Sequence, residues 1–171
     1  MNIILQTPRL ILRRFTDSDA DAELVFHLNS DPEVLKYLHE PLLTNTNHAR
    51  EIIRTIILPQ YEKNLGRWAV NTKSDNEFIG WCGLKYLAEE DEIDLGYRFK
   101  RSSWGKGYAT EAAKNTLDFG LNKLGLKSIV GRALIENTGS INVLQKAGME
   151  YIGEDIINDA PHKVFIKQRI L

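Results

Sequence analysis

Arg101-Ser102-Ser103-Trp104-Gly105-Lys106-Gly107-Tyr108-Ala109-Thr110-Glu111-Ala112 links an apolar, strand-like run, Ile93 to Phe99, to a helix-like run, Ala109 to Leu124. A glycine-rich turn between strand and helix is built to hold phosphate. Its amides are accessible, and the first turn of the helix carries partial positive charge. Gly105 and Gly107 permit positive φ or close backbone approach.

Working outward, the preceding segments read as hairpin strands: Arg67 to Asn71, Phe78 to Tyr86 and Ile93 to Phe99. Polar turns at Lys73-Ser74-Asp75-Asn76 and Glu89-Glu90-Asp91 separate them, which suits antiparallel pairing. After the helix, Gly125 is placed to terminate it. Ser128 to Ile135 reads as a strand. Asn137 to Ala147 reads as a helix capped by Asn137 or Thr138, with Gly148 just beyond its end. Tyr151 to Ile157 and Lys163 to Ile170 complete the strands.

Nearer the N-terminus, Leu10 to Phe15 alternates as a strand and Ala20 to Leu28 is helical. Asp31-Pro32-Glu33 starts a second helix. Thr44 is placed to cap a third running toward Tyr61, which Pro59 should kink or end. With no repeat and no compositional break, the expectation is one mixed α/β domain over 1–171.

Composition narrows the function. A chain of 171 residues with 43% hydrophobic and 26% charged content is an ordinary globular protein. A formal net charge of −1 gives no reason to expect nucleic acid or an anionic membrane as partner. The lone Cys82 excludes an internal disulfide and reads as a buried thiol. No leader pattern or spanning run is present, so a cytoplasmic protein is expected. His27, His39, His48 and His162 have no metal-binding spacing, and no metal is expected.

Two phosphate-binding motifs fail. A dinucleotide fingerprint needs a third glycine where Thr110 stands. Gly120 to Ser128 imitates a P-loop but has Leu126 inserted before Lys127, and it ends a helix instead of opening one.

The strand, Gly105-x-Gly107 and Ala109 together resemble the acetyl-coenzyme A pyrophosphate loop of the GNAT acetyltransferases. Trp104 to Ala112 looks like the branch that includes ribosomal-protein N-terminal acetyltransferases. Asn137 to Met149 resembles that branch's Asn-x-x-Ser helix ending in Lys-x-Gly-Phe, with Met149 at the phenylalanine position. Thr7-Pro8-Arg9-Leu10-Ile11-Leu12-Arg13 resembles its first strand. Ser102 stands where the family loop often has Gln or Arg, with Arg101 one step earlier.

The resemblance implies a mostly antiparallel central sheet flanked by helices. It also implies transfer of an acetyl group from acetyl-coenzyme A to an amine. The expected acceptor is a peptide N-terminal α-amine, with a polyamine or aminoglycoside as the alternative. A non-catalytic acyl-coenzyme A-binding module is the rival from another class. A monomer or homodimer is expected.

Carried onto this chain, the cofactor loop is Arg101, Trp104, Gly105, Lys106, Gly107, Tyr108, Ala109 and Thr110. Backbone groups of Tyr97, Arg98 and Phe99 face the pantetheine arm, and Asn137, Ser140 and Lys146 contribute from the last helix. Lys106 reads equally as a solvated loop lysine. Asp94-Leu95-Gly96-Tyr97 resembles the family's Glu-Ile-Gly-Tyr strand, whose carboxylate is a base in some members. Asp94 is therefore the candidate base and Glu92, two residues away, its substitute. Both also fit the solvent face of an alternating strand. Many members have a tyrosine where Leu144 stands; Ser140 is the candidate partner of the thiolate, or only a first-turn serine. Tyr37 and the Leu38 to Leu43 loop are placed to border the acceptor cleft.

Overall fold

A computed structural model describes residues 2–171. Strands β1 (Ile3–Gln6) and β2 (Leu10–Arg14) form a hairpin, followed by helices α1 (Asp19–Asn29) and α2 (Pro32–Leu35). Helix α3 (Thr46–Ile52) opens at Asn45, whose side chain accepts from the His48 amide. It continues through a wide turn, Ile53–Ile57, into α4 (Leu58–Gln60). Pro59 has no N–H to give, and the helix absorbs the defect in that wide turn, where the Leu58 amide reaches back to the Ile53 carbonyl.

Strands β3 (Gly66–Thr72), β4 (Phe78–Leu87) and β5 (Glu92–Phe99) follow, then α5 (Tyr108–Asp118), β6 (Ser128–Leu134), α6 (Thr138–Lys146), β7 (Glu150–Ile157) and β8 (Ala160–Gln168). The expected elements are present, with β1 as a strand the periodicity did not single out. Expected ends move by a residue or a few. The helix-like run to Leu124 leaves α geometry after Asp118, passing through a wide turn, Phe119–Lys123.

The eight strands form one sheet in the order β1-β2-β3-β4-β5-β6-β8-β7. Every pairing is antiparallel except β5 with β6. That parallel pair meets at one register point, Asp94 opposite Val130. Beyond it, β5 remains paired to β4 as far as Phe99 opposite Gly80. Tyr97 and Phe99 therefore have no ladder partner on the β6 side; apart from the Phe99 carbonyl, which takes the Trp104 indole N–H, their backbone groups there are open to another ligand, whereas the Arg98 carbonyl turns toward Gly80 of β4.

Helices cover both faces. Helix α1 packs on one, through the Arg13–Asp21 ion pair at 2.8 Å and Asn29, which bonds Arg98. Helix α5 lies on the other, where Thr116 meets Cys82 at 3.4 Å. Trp68, Phe165, Leu117, Ile129 and Leu144 are fully buried in the core. Burial pushes the Cys82 thiol up to about 12, so it stays protonated at neutral pH. Among the described residues, no helix is long and apolar enough to cross a membrane.

Candidate active site

Gly105 and Gly107 both adopt left-handed backbone, with φ of 74° and 78°. Gly107 is the N-cap of α5. Helices α1, α2, α3 and α6 each have a capping side chain, from Ser18, Asp31, Asn45 and Asn137, that accepts a first-turn amide. Helix α5 has none. Its first-turn donors point outward at the positive end of the helix, and a bound anion is the natural partner.

A groove of about 230 Å³ runs over this turn, lined by Phe99, Ser103, Trp104, Gly105, Gly107, Tyr108, Ala109, Thr110, Gly139, Asn142, Val143 and Lys146. A second, more open groove shares Gly107, Thr110 and Lys146 and continues along α5 past Lys114. Two lysines on a continuous path from a set of free helix amides suit an extended ligand with several phosphates. No Cβ-sized obstacle stands over Gly105, where nothing lies within 4 Å. The residues present therefore fit a phosphorylated, elongated cofactor.

Of the loop residues expected from sequence, Trp104, Gly105, Gly107, Tyr108, Ala109 and Thr110 line the groove, as do Phe99 and Lys146. Trp104 also donates its indole N–H to the Phe99 carbonyl at 3.0 Å, tying the loop to the end of β5. Arg101 points elsewhere, pairing with Asp31 at 3.3 Å. Lys106 is outside the lining; its carbonyl accepts from Arg9 Nη1 at 2.9 Å. Gly139, Asn142 and Val143 were missed by sequence reasoning. With Lys146 they follow i, i+3, i+4, i+7 spacing, one helix face, and that periodicity was the available signal.

The loop is braced from the β1–β2 turn. Glu111 accepts from Thr7 Oγ1 at 2.6 Å, the Arg9 amide at 2.9 Å and Arg9 Nε at 2.6 Å. Arg9 then stacks over Tyr108, its guanidinium carbon 4.6 Å from the ring centroid. Burial raises the Glu111 carboxyl, but bonds from Thr7 and Arg9 outweigh it and hold the carboxyl below its ordinary value. Stability from this group is present above the unfolded value of 4.5 and is lost as pH falls through the lower folded value. Replacing Glu111 with alanine should cost about 2 kcal/mol in urea denaturation at pH 7. A change within 0.5 kcal/mol would remove the brace from the account.

Of the catalytic candidates, Asp94 and Glu92 lie on one face of β5, and Ser140 of α6 meets the other face at Tyr97. Asp94 shares the α1 face with Glu92. Its Oδ1 is 3.5 Å from Arg132 Nη1, with the side chain about a quarter exposed. Arg132 makes its short bond to Glu92 instead. Burial raises the Asp94 carboxyl to about 7, against the attraction of Arg132 and Lys85. Asp94 is therefore placed to exchange a proton near neutrality, while Glu92 is occupied by Arg132.

Tyr97 lies on the other face. Its hydroxyl is 2.8 Å from Ser140 Oγ and donates to the Ser140 carbonyl at 3.0 Å. Burial pushes its phenol above the ordinary tyrosine range. Asn137 accepts from the Ser140 amide at 3.1 Å, as a helix cap does. Leu144 is buried in the core. Among the described residues, no cluster of His, Cys, Asp or Glu could hold a metal ion.

Comparison with known proteins gives the family and the fold. The acetyltransferase (GNAT) domain model matches residues 9–150. The chain is 35% identical over 150 residues to the uncharacterized N-acetyltransferase p20 of Bacillus licheniformis, covering 87% of this chain and 83% of that protein. A ribosomal L7/L12 α-N-protein acetyltransferase in complex with coenzyme A has the same fold, with TM-score 0.83, 15% identity and 98% of each chain covered. So has a spermidine N-acetyltransferase from Vibrio cholerae in complex with coenzyme A and spermine, with TM-score 0.75 and 18% identity over 94% of this chain and 95% of that one.

Proposed function

The chain belongs to the GNAT acetyltransferase family, is an acyltransferase using acetyl-coenzyme A and an amine acceptor, and on that premise we propose that it acetylates the α-amine of a peptide N-terminus. The observation that carries this reading is the basic face around Asp94, where Arg132, Arg98 and Arg67 make a poor seat for a polycation, beside an Asp94 carboxyl at about 7. An α-ammonium group (pKa ~8) lies about one unit above it, so drawing off its proton costs ~1.4 kcal/mol. An alkylammonium of lysine or polyamine type (pKa ~10.4) lies more than three units above, and the same step costs ~4.6 kcal/mol. A small-molecule amine acetyltransferase remains the second reading only where the acceptor amine is of low pKa.

Bound acetyl-coenzyme A supplies an acyl thioester whose thiol departs as the amide forms. The free amides of Tyr108, Ala109 and Thr110 would hold the pyrophosphate, with Gly105 and Gly107 giving it room and Lys146 adding charge. The open backbone groups of Tyr97 and the Phe99 amide would receive the pantetheine arm. Asp94 takes the proton of the attacking ammonium, directly or through a water. Arg132 is the positioning residue for Asp94, since its buried Nη1 has no hydrogen-bond partner in the structure and faces the carboxylate. On the other face, the Ser140 hydroxyl would relay to the departing thiolate the second proton that the amine nitrogen loses as the amide forms, so that no serine alkoxide is left. Tyr97 orients that hydroxyl.

Thiol release measured on a panel of peptide N-termini, lysine and spermidine tests the reading. We expect turnover with free N-termini and none with N-terminally blocked peptides. Preference for spermidine over every peptide would refute it. Tyr97→Phe should lower kcat roughly tenfold, less than the loss of a group that transfers the proton itself. KM for acetyl-coenzyme A should barely move. A larger effect on that KM than on kcat would mean that Tyr97 serves packing of the arm.

A further inference from the structure

The face of the sheet that carries Asp94 also carries a pair of arginines around a tryptophan. Arg98 is four residues along β5 from Asp94, on the same face. Trp81 is its cross-strand partner on β4. Arg67 extends from β3 toward the same ring. Its guanidinium carbon lies 4.7 Å from the Trp81 centroid, and that of Arg98 lies 5.5 Å away. The position between Asp94 and Arg98 is Gly96, and the Trp81 ring lies over it: a Cβ there would sit 3.2 Å from Cζ3. The indole is thus a flat floor reaching from the base to the two guanidinium groups.

The charges of this cluster are incompletely matched. Arg98 donates to Asn29 and, at 3.0 Å, to Glu40. Its side chain is 7% exposed, and its buried Nε has no partner in the structure. Arg67 is half-buried and forms no ion pair or side-chain hydrogen bond among the described residues. Desolvation and then the Arg98 charge hold Arg67 below the ordinary arginine value, with Glu40 opposing. Two guanidinium groups share one carboxylate, from a loop residue that is 48% exposed. Holding two desolvated cations against one anion is costly, and a second anion relieves it.

We propose that Arg67 and Arg98, laid against Trp81, bind a carboxylate of the acceptor, so that the enzyme selects amines that carry an anionic group a few bonds away. Glu40 shows the chemistry the pair accepts. This selectivity rests on the acetyltransferase reading, because it places the acceptor across Trp81 with its amine at Asp94. Four strand residues span ~13 Å from Asp94 to Arg98, and both arginines fold back over the ring, so an amine at Asp94 and a carboxylate at the pair would lie within one or two residues of each other. A polycation would meet two unneutralised guanidinium groups here. The carboxylate has two sources: the α-carboxylate of a free amino acid, or an acidic side chain at the start of a peptide.

Matched pairs differing only in the carboxylate test this. One arm compares alanine with alanine amide, the other Asp-Ala-Ala-amide with Asn-Ala-Ala-amide. Thiol release gives kcat/KM, and calorimetry on the acetylated products, with coenzyme A present, gives affinity without turnover. We expect at least a tenfold preference for the carboxylate member in one arm, and that arm identifies the source. Arg67→Met should bring the ratio close to one, and Arg67→Lys should retain part of it. Ratios within twofold in both arms for the unmodified protein, by both readouts, would overturn the proposal, as would a ratio unchanged in Arg67→Met. Tenfold selectivity in product binding with no thiol release on any amine would sustain the anion site and refute the transferase reading instead.

Discussion

Gly107→Val is expected to weaken coenzyme A binding at least ~100-fold while leaving the protein folded. Gly107 has φ of 78° and caps α5 without a side chain. Left-handed backbone costs an ordinary L-residue about 1–2 kcal/mol, and a β-branched one more. The chain has two ways to respond to Gly107→Val. It can hold the left-handed turn and put two methyl groups over the first-turn amides, with the new Cβ 3.4 Å from Arg9 Nη2. Or it can relax φ to a negative value and swing those amides off the groove. Either response would remove the proposed anion site, which consists of backbone donors that no other side chain can replace. Binding is expected to fall at least 100-fold, or ~2.7 kcal/mol, by calorimetry with coenzyme A. The melting point should drop by only a few degrees, since the turn is exposed and the core beneath it is untouched. Affinity within threefold of the parent protein would sink the loop assignment.

Asp94→Asn should lower kcat/KM by 10²- to 10³-fold, the range of a general base, and should change the pH profile in shape. With a carboxyl at about 7, the parent enzyme gains activity as pH rises through neutrality and again as the α-amine deprotonates near pH ~8. The asparagine enzyme keeps only the second rise, so the deficit is greatest between about pH 7 and 8, where the base is ionised and the amine still largely protonated; it shrinks below as protonation silences the base and above as the amine loses its proton to solvent. A variant with the parent profile across pH 6 to 9 would remove Asp94 from the mechanism.

Stability provides an independent reading of the same carboxyl. The folded value is raised above the unfolded 3.8, so between the two the native state holds the extra proton. Stability is greatest below the unfolded value and declines as pH rises toward 7. Asparagine cannot ionise and escapes this decline. Asp94→Asn should be the more stable protein at pH 8 by roughly 2 kcal/mol, half of the ~4 kcal/mol that three pK units represent, because part of the side chain reaches water. The gap should close by about pH 4. A variant less stable than its parent at pH 8 would show that the carboxylate is stabilised by Arg132 and Lys85 rather than strained by burial.

Local features were legible in the sequence because the backbone reads them locally. Gly105 and Gly107 permit a left-handed turn by lacking a Cβ, whatever surrounds them. Asn137 caps α6 because its side chain reaches an amide three residues on. The alternation of β5 separates Asp94 from Tyr97 by geometry alone. These were enough to give the fold class and to single out the expected cofactor loop and the candidates Asp94 and Ser140.

Other features depend on elements distant in the chain. Arg101 and Lys106 follow the pattern of phosphate-binding residues, yet Asp31 of the α2 turn takes the arginine and the lysine offers Arg9 only its carbonyl. The bond between Tyr97 and Ser140 joins a strand to a helix 43 residues away. Strand β8 lies between β6 and β7, so the sheet order departs from the chain order.

The sequence by itself determined where the backbone turns, where its amides are left free and which side chains share a strand face. These follow from φ preference, capping and a two-residue period within a few positions. The tertiary structure alone decided how strongly Asp94 holds its proton and that Arg67 from β3 and Arg98 from β5 converge on Trp81. Desolvation and charge coupling are set by whatever packs nearby, and the parting of β5 from β6 beyond Val130 exists only once the sheet has formed.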